Sequence, residues 1–119
     1  MPTNGALGEQ FAADYLKTQG YCILETNFHT RFGEIDIIAQ KDDILAFVEV
    51  KTRAATMLYT PAEAVTATKQ KKLITAAMQY LQAYPNDLQP RFDVVAIVTA
   101  SKNSFQVVNM THFIDAFEV

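Results

Sequence analysis

GEIDIIAQKDDILAFVEVK, residues 33–51, decides the fold. It holds two apolar runs separated by the polar turn Lys41-Asp42-Asp43. Runs of this length with β-branched residues read as strands, Glu34–Ala39 and Ile44–Lys51. A short turn between two strands makes a hairpin. Strand side chains alternate between faces. The alternation therefore places Ile35 and Ile37 on one face and Glu34 and Asp36 on the other. In the partner strand Val48 and Val50 take one face, and Glu49 and Lys51 the other.

Outward from this hairpin the chain reads as more strands and helices. Tyr21–Phe28 (YCILETNF) precedes it as a strand, so three strands form an antiparallel meander. Before them, Leu7, Phe11 and Tyr15 with Ala12 and Leu16 recur at helical spacing, and Gly20 ends that helix. After the hairpin, Thr60-Pro61-Ala62-Glu63 is a capping box with proline at the first helical position. The helix it starts should run to about Ala83, ahead of Pro85. Arg91–Thr99 has a continuous apolar centre, as a strand covered on both faces requires. Ser104–Asn109 reads as a last strand and His112–Phe117 as a short terminal helix. The order α-β-β-β-α-β-β gives an α/β fold, a mixed sheet flanked by helices.

Composition bounds what this fold can do. The chain has 119 residues, half of them hydrophobic, which fits one domain spanning 1–119. Its longest apolar stretches fall well short of the roughly 18–20 residues of a membrane span. The N-terminus has no cationic, apolar leader, and Cys22 is the one cysteine, so neither a disulfide nor a cysteine-based zinc site is expected. These features predict a cytoplasmic protein with no membrane partner. The net charge of −3 speaks against a broad nucleic-acid footprint. However, five of the ten basic residues (Lys51, Arg53, Lys69, Lys71, Lys72) fall between positions 51 and 72. A local basic face is therefore compatible with the acidic total.

Chemistry concentrates on the hairpin. Neighbouring strands lie about 4.8 Å apart, so Asp36 and Glu49 can stand side by side. A buried, unpaired carboxylate costs several kcal/mol, and two adjacent ones repel. Either a proton or a cation must resolve the pair. Oxygen donors select a hard ion, Mg²⁺ or Mn²⁺. The carbonyl of Val50 is a further candidate ligand. Lys51 lies roughly 6–7 Å along the same face, where it can orient water or meet charge on a phosphate. The bland alternative is an ion-pair network in which Lys51 merely neutralises Glu49.

Asp36 followed by Glu49-Val50-Lys51 resembles the D…(D/E)xK signature of the PD-(D/E)xK nuclease superfamily. A helix carrying Glu9 ahead of it resembles that of archaeal Holliday-junction resolvases, where a helix glutamate completes the metal site. More of the chain is similar to the YraN-like family of small, largely uncharacterised bacterial proteins: GEIDIIA (33–39), FVEVKTR (47–53), PAEAV (61–65), the Lys69–Leu73 segment and RFDVVAI (91–97). The resemblance implies a restriction-endonuclease-like three-layer fold. It implies a metal-dependent endonuclease acting on DNA, including branched or junction DNA. Asp36, Glu49 and Lys51 would be catalytic, and Asp36, Glu49, Val50 and Glu9 would hold Mg²⁺ or Mn²⁺. Analogy with the resolvases implies a homodimer. The rival reading is a non-catalytic nucleic-acid-binding module on the same fold. The chain departs from the family at His29, where a basic residue is usual, at Thr60, and in the turn after Ala39, which lacks a glycine.

Helical periodicity singles out one more residue. Val65, Leu73, Ala76 and Tyr80 form a core-facing stripe with Lys69 in its middle. A lysine there must snorkel or meet an anion, such as a phosphate or an active-site carboxylate. Arg53, Gln70 and Lys72 are further candidates for nucleic-acid contact, although Lys71 and Lys72 also suit an ordinary solvated face. Glu34 shares the face of Asp36 but sits at a strand entry, open to water. Asp93 is expected to pair with Arg91 or a lysine rather than to catalyse. His29 and His112 carry no metal-site pattern.

Overall fold

A computed structural model describes residues 2–56 and 65–119. The elements are α1 (Asn4–Thr18), β1 (Cys22–Thr30), β2 (Gly33–Lys41), β3 (Ile44–Ala54), α2 (Ala67–Ala83), β4 (Gln89–Ser101) and β5 (Ser104–Phe117). The five strands form one open sheet in the order β1-β2-β3-β4-β5. The meander is antiparallel, β4 runs parallel to β3, and β5 is antiparallel to β4. The parallel step follows from the helical crossover through α2. The expected α-β-β-β-α-β-β order and mixed sheet are both present.

Two cores lie on opposite faces of the sheet. Ala12, Ala13 and Leu16 of α1 pack on Ile37, Ala39, Ala46, Val48, Val50, Val95 and Ile97. Leu73, Ala76, Ala77 and Tyr80 of α2 pack on Ile35, Ile38, Leu45, Phe47, Phe92 and Val94. The result is helix, sheet, helix in three layers. Burial on both faces explains why β2, β3 and β4 read as nearly unbroken apolar runs. On α1, Gly8 is what lets the helix approach β3, since a Cβ there would overlap Thr52 Oγ1. The turn after Ala39 needs no glycine because Asp42 itself adopts φ 53°.

Three expectations need correction. The first concerns alternation in β2. Ile35 joins the α2-side core and Ile37 the α1-side core. The β2–β3 ladder ends at Ile37–Val48, and the strict period of two breaks at Asp36. The second concerns the start of α2. The capping box at 60–63 lies outside the described residues, but no helix runs unbroken from it. α2 begins at Ala67, where Thr66 in extended conformation caps Lys69 N–H through its hydroxyl. The third concerns the C-terminal segment. His112–Phe117 is part of β5, not a helix. The free edge of β4 takes it up, and Asp93 pins it there by accepting from the Asp115 amide and contacting the His112 ring.

Candidate active site

The end of the β2–β3 ladder is where the site forms. Past Ile37–Val48 the two strands stop pairing, and Asp36 Oδ2 accepts from the Val50 amide at 2.8 Å. A side chain thus takes the place of a backbone partner and is held beside Glu49. Both acids are buried, Asp36 at 9% and Glu49 at 4% exposure. Burial first, and then the Asp36 charge, push Glu49 up to about 7, against the lowering influence of Lys69 and Lys51. Burial also raises Asp36, opposed mainly by the Val50 amide. The alternation expected in β3 holds here. Val48 and Val50 face α1, and Glu49 meets Lys51 and the α2 lysine Lys69.

The two lysines stand on the same oxygen. Lys51 Nζ is 3.6 Å and Lys69 Nζ 3.8 Å from Glu49 Oε1. Glu49 Oε2 is buried with no N–H donor on it among the described residues, and the Asp36 and Glu49 carboxyls are close enough to share a hydrogen bond once one of them holds a proton. Lys69 thus does what its place on the apolar stripe demands, reaching an anion across the α2–sheet interface. Its helix is fixed by Leu73, Ala76, Ala77 and Tyr80, with Val65 just ahead of it, against β2, β3 and β4, so the ammonium group is delivered by packing.

The sequence match now has a geometry to stand on. Residues 8–97 match the model of the "Uncharacterised protein family UPF0102". The chain belongs to the UPF0102 family. A UPF0102 protein of Syntrophomonas wolfei is 46% identical over 114 residues, covering 95% of this chain and 96% of the relative. One of Chlorobium phaeobacteroides is 45% identical, covering 96% and 92%. One of Clostridium botulinum is 44% identical over 102 residues, covering 84% and 83%. The YraN-like resemblance read from the sequence is this membership. The UPF0102 match runs from α1 into β4 and so includes every carboxylate and lysine named above.

The remaining candidates are distributed around this centre. Glu9 of α1 lines a small cavity of about 150 Å³ together with Asn27 and Asp36. Its carboxyl is raised by partial burial, then by the charges of Asp36 and Glu34. Arg53 donates through Nη1 to the Thr52 carbonyl at 3.0 Å. Gln70 donates to the Val65 carbonyl at 3.2 Å, a local tie at the start of α2. Lys71 and Lys72 are exposed on α2. His29 pairs loosely with Glu34 at 3.7 Å on the surface.

The donors suit a hard divalent ion in kind: two adjacent carboxyls, Asp36 and Glu49, with one buried Glu49 oxygen that no N–H donor reaches. In number they are sparse. Among the described residues no three His, Cys, Asp or Glu side chains gather closely enough to form an ion-holding group. Mg²⁺ tolerates this, since it usually keeps several waters and binds through one or two carboxylates plus substrate oxygens.

Sequence reasoning missed two features. The first is Asn27, whose backbone takes φ 52° inside β1. The second is a buried network around Asp93, which is fully inaccessible. Arg91 donates to both Asp93 oxygens at 2.9 Å, and His112 Nε2 lies 2.8 Å from Oδ2. Tyr15 Oη stands 3.2 Å from His112 Nδ1, and Arg91 also donates to Tyr21 Oη. The Arg91–Asp93 pairing was expected. His112 was not, because it sits 19 residues further along the chain and no local spacing announces it.

Proposed function

We propose that this UPF0102 protein is a divalent-metal-dependent endonuclease that hydrolyses phosphodiester bonds in DNA. The observation that carries the reading is Glu49. It is a buried carboxylate whose Oε2 receives no N–H donor and whose close neighbour there is a second carboxyl, that of Asp36, and its pKa is pushed up to about 7. Two lysines on the other oxygen leave that repulsion only partly relieved. A cation would relieve it fully.

Asp36, Glu49 and the Val50 carbonyl would hold Mg²⁺ or Mn²⁺, and Glu9, which lines the cavity beside Asp36, would join them through a bound water. The ion would supply a polarised phosphate and a more acidic water. Lys51 then orients the attacking water and stabilises charge on the phosphate as the oxygen opposite departs in line. Lys69 shares the Glu49 oxygen with Lys51, and substrate phosphate competes for both ammonium groups. Arg53 of β3 and Gln70 and Lys72 of α2 would supply contacts to the nucleic-acid backbone. Likeness to junction resolvases favours branched DNA and a homodimer that presents two such sites.

One observation favours a second reading, a non-catalytic nucleic-acid-binding module. Lys51 and Lys69 can balance the Asp36–Glu49 pair without any ion. The deciding experiment offers single-stranded, duplex, flap and four-way-junction DNA with Mn²⁺ to wild type and Lys51→Ala. The enzyme reading expects cleavage of at least one substrate by wild type only. No cleavage by folded, Mn²⁺-bound wild type, together with salt-dependent DNA binding, selects the binding module.

A further inference from the structure

Asn27 is the residue around the site that neither the motif nor the fold explains. It lies in β1, close to a register shift between Ile23 and Glu25, with φ 52°. That region is the left-handed one, which asparagine and glycine tolerate best. Its side chain faces two acids from two different elements. With the amide turned so that its nitrogen rather than its oxygen meets these acceptors, Glu9 Oε1 of α1 and Glu34 Oε1 of β2 each stand 2.9 Å from that nitrogen. Two carboxylates admit only that end of the amide, since its oxygen there would meet two acceptors.

We propose that Asn27 is a positioning residue that sets Glu9 opposite Asp36. This rests on the metal-dependent reading of the site given above. Glu9, Asn27 and Asp36 line one cavity on the α1 side of the sheet, and Asp36 is the acid that this cavity shares with the Glu49 centre. Glu9 belongs to a helix and Asp36 to a strand, and repulsion from Asp36 and Glu34 drives the Glu9 carboxylate away. A single donor shared between Glu9 and Glu34 opposes that drift. It engages Oε1 of Glu9, so Oε2 is not spent on the bridge. The left-handed backbone at position 27 aims the short side chain into the gap between α1 and β2.

Asn27→Gly separates the two roles of this residue, since glycine keeps the left-handed backbone but has no amide. Mn²⁺ binding is measured by calorimetry on the full chain, with thermal unfolding alongside. The expected result is weakening of Mn²⁺ binding by about 10–100-fold, the usual effect of losing a partner that orients a ligand, at an unchanged unfolding midpoint. Wild-type Mn²⁺ affinity in a stably folded Asn27→Gly protein overturns the proposal. A second readout needs no metal. The Asn27 side-chain amide resonances of ¹⁵N-labelled protein should shift in both Glu9→Gln and Glu34→Gln, and a failure to respond to either also overturns it. Wild type that binds no Mn²⁺ sinks the metal reading and the positioning role with it, while the amide shifts still report the bridge itself.

Discussion

The molecule buries acidic groups in two places, and it treats them in opposite ways. Asp93 on β4 is saturated by both Arg91 nitrogens, His112 and the Asp115 amide. Although burial alone would raise it, these partners hold its carboxyl below the ordinary range. Glu49 on the neighbouring strand is nearly as buried, yet its Oε2 receives no N–H donor, its carboxyl neighbours that of Asp36, and its pKa is about 7. The first arrangement is closed: every charge has an answer within the chain. The second is open. A fold that can satisfy Asp93 so fully does not leave Glu49 short for lack of means, and that contrast directs attention to the β2–β3 end of the sheet.

The largest effect should come from breaking the closed network. Asp93→Ala leaves the Arg91 guanidinium and His112 without their shared carboxylate and releases the segment of β5 it pins. Removing one partner of a buried pair costs about 3–5 kcal/mol, so urea denaturation should show a loss of that order. A loss under about 1 kcal/mol, the worth of an exposed pair, would place Asp93 with the surface charges and erase the contrast.

The open site should respond in activity rather than stability. Lys51→Ala should lower DNA cleavage by about 10²–10³-fold, as expected when one group that stabilises developing charge is removed. Its denaturation midpoint should stay near that of wild type. A large stability loss with proportionate activity loss would instead make Lys51 a structural partner of Glu49.

Much of this contrast was legible in the sequence. Asp36, Glu49 and Lys51 were marked by acids and a base interrupting apolar strands, and Lys69 by a cation on an apolar helical stripe. Both signals are local, because a strand or helix repeats within a few residues. The layers followed from the same periodicities. The failures were at positions where tertiary contacts override the local period. Ile35 and Ile37 part company because Asp36 spends its side chain on the Val50 amide. His112–Phe117 is extended because Asp93 and the β4 edge capture it. Asn27 was invisible because its meaning lies in a positive φ and in two acids contributed by other elements.

Acidity distinguishes the two regions more finely. Glu49 is raised in the folded protein from 4.5 to about 7, so between those values the native state holds a proton that the unfolded chain has released. Stability of the metal-free protein should therefore fall as pH rises from about 4.5 to 7, by at most about 1.4 kcal/mol per pH unit from this group. Glu49→Gln should flatten that slope and leave the variant at least as stable as wild type above pH 7. Asp93 contributes the opposite sign. Its lowered pKa adds stability that is present above the ordinary aspartate range and lost on acidification below it. A metal-free wild type whose stability rises between pH 5 and 7, with Glu49→Gln unchanged, would mean that Glu49 is as well satisfied as Asp93.

The smallest expected effect belongs to the rim. Lys72 is exposed on α2 and meets none of the buried acids, so Lys72→Ala should leave stability and Mn²⁺ binding unaltered. If its ammonium contacts a phosphate, DNA binding weakens uniformly across substrates and the slope of log affinity against log salt falls by about 0.9 on duplex DNA. Lys69→Ala offers the internal comparison. Its ammonium is held at 3.8 Å from Glu49, so the same substitution there should also shift the Glu49 titration upward, because one of the two cations lowering it is gone. A salt slope that changes with Lys69→Ala but not with Lys72→Ala would confine the phosphate contact to the buried centre. The opposite outcome would make Lys69 a counter-charge for Glu49 and put the nucleic-acid surface on the outer face of the helix.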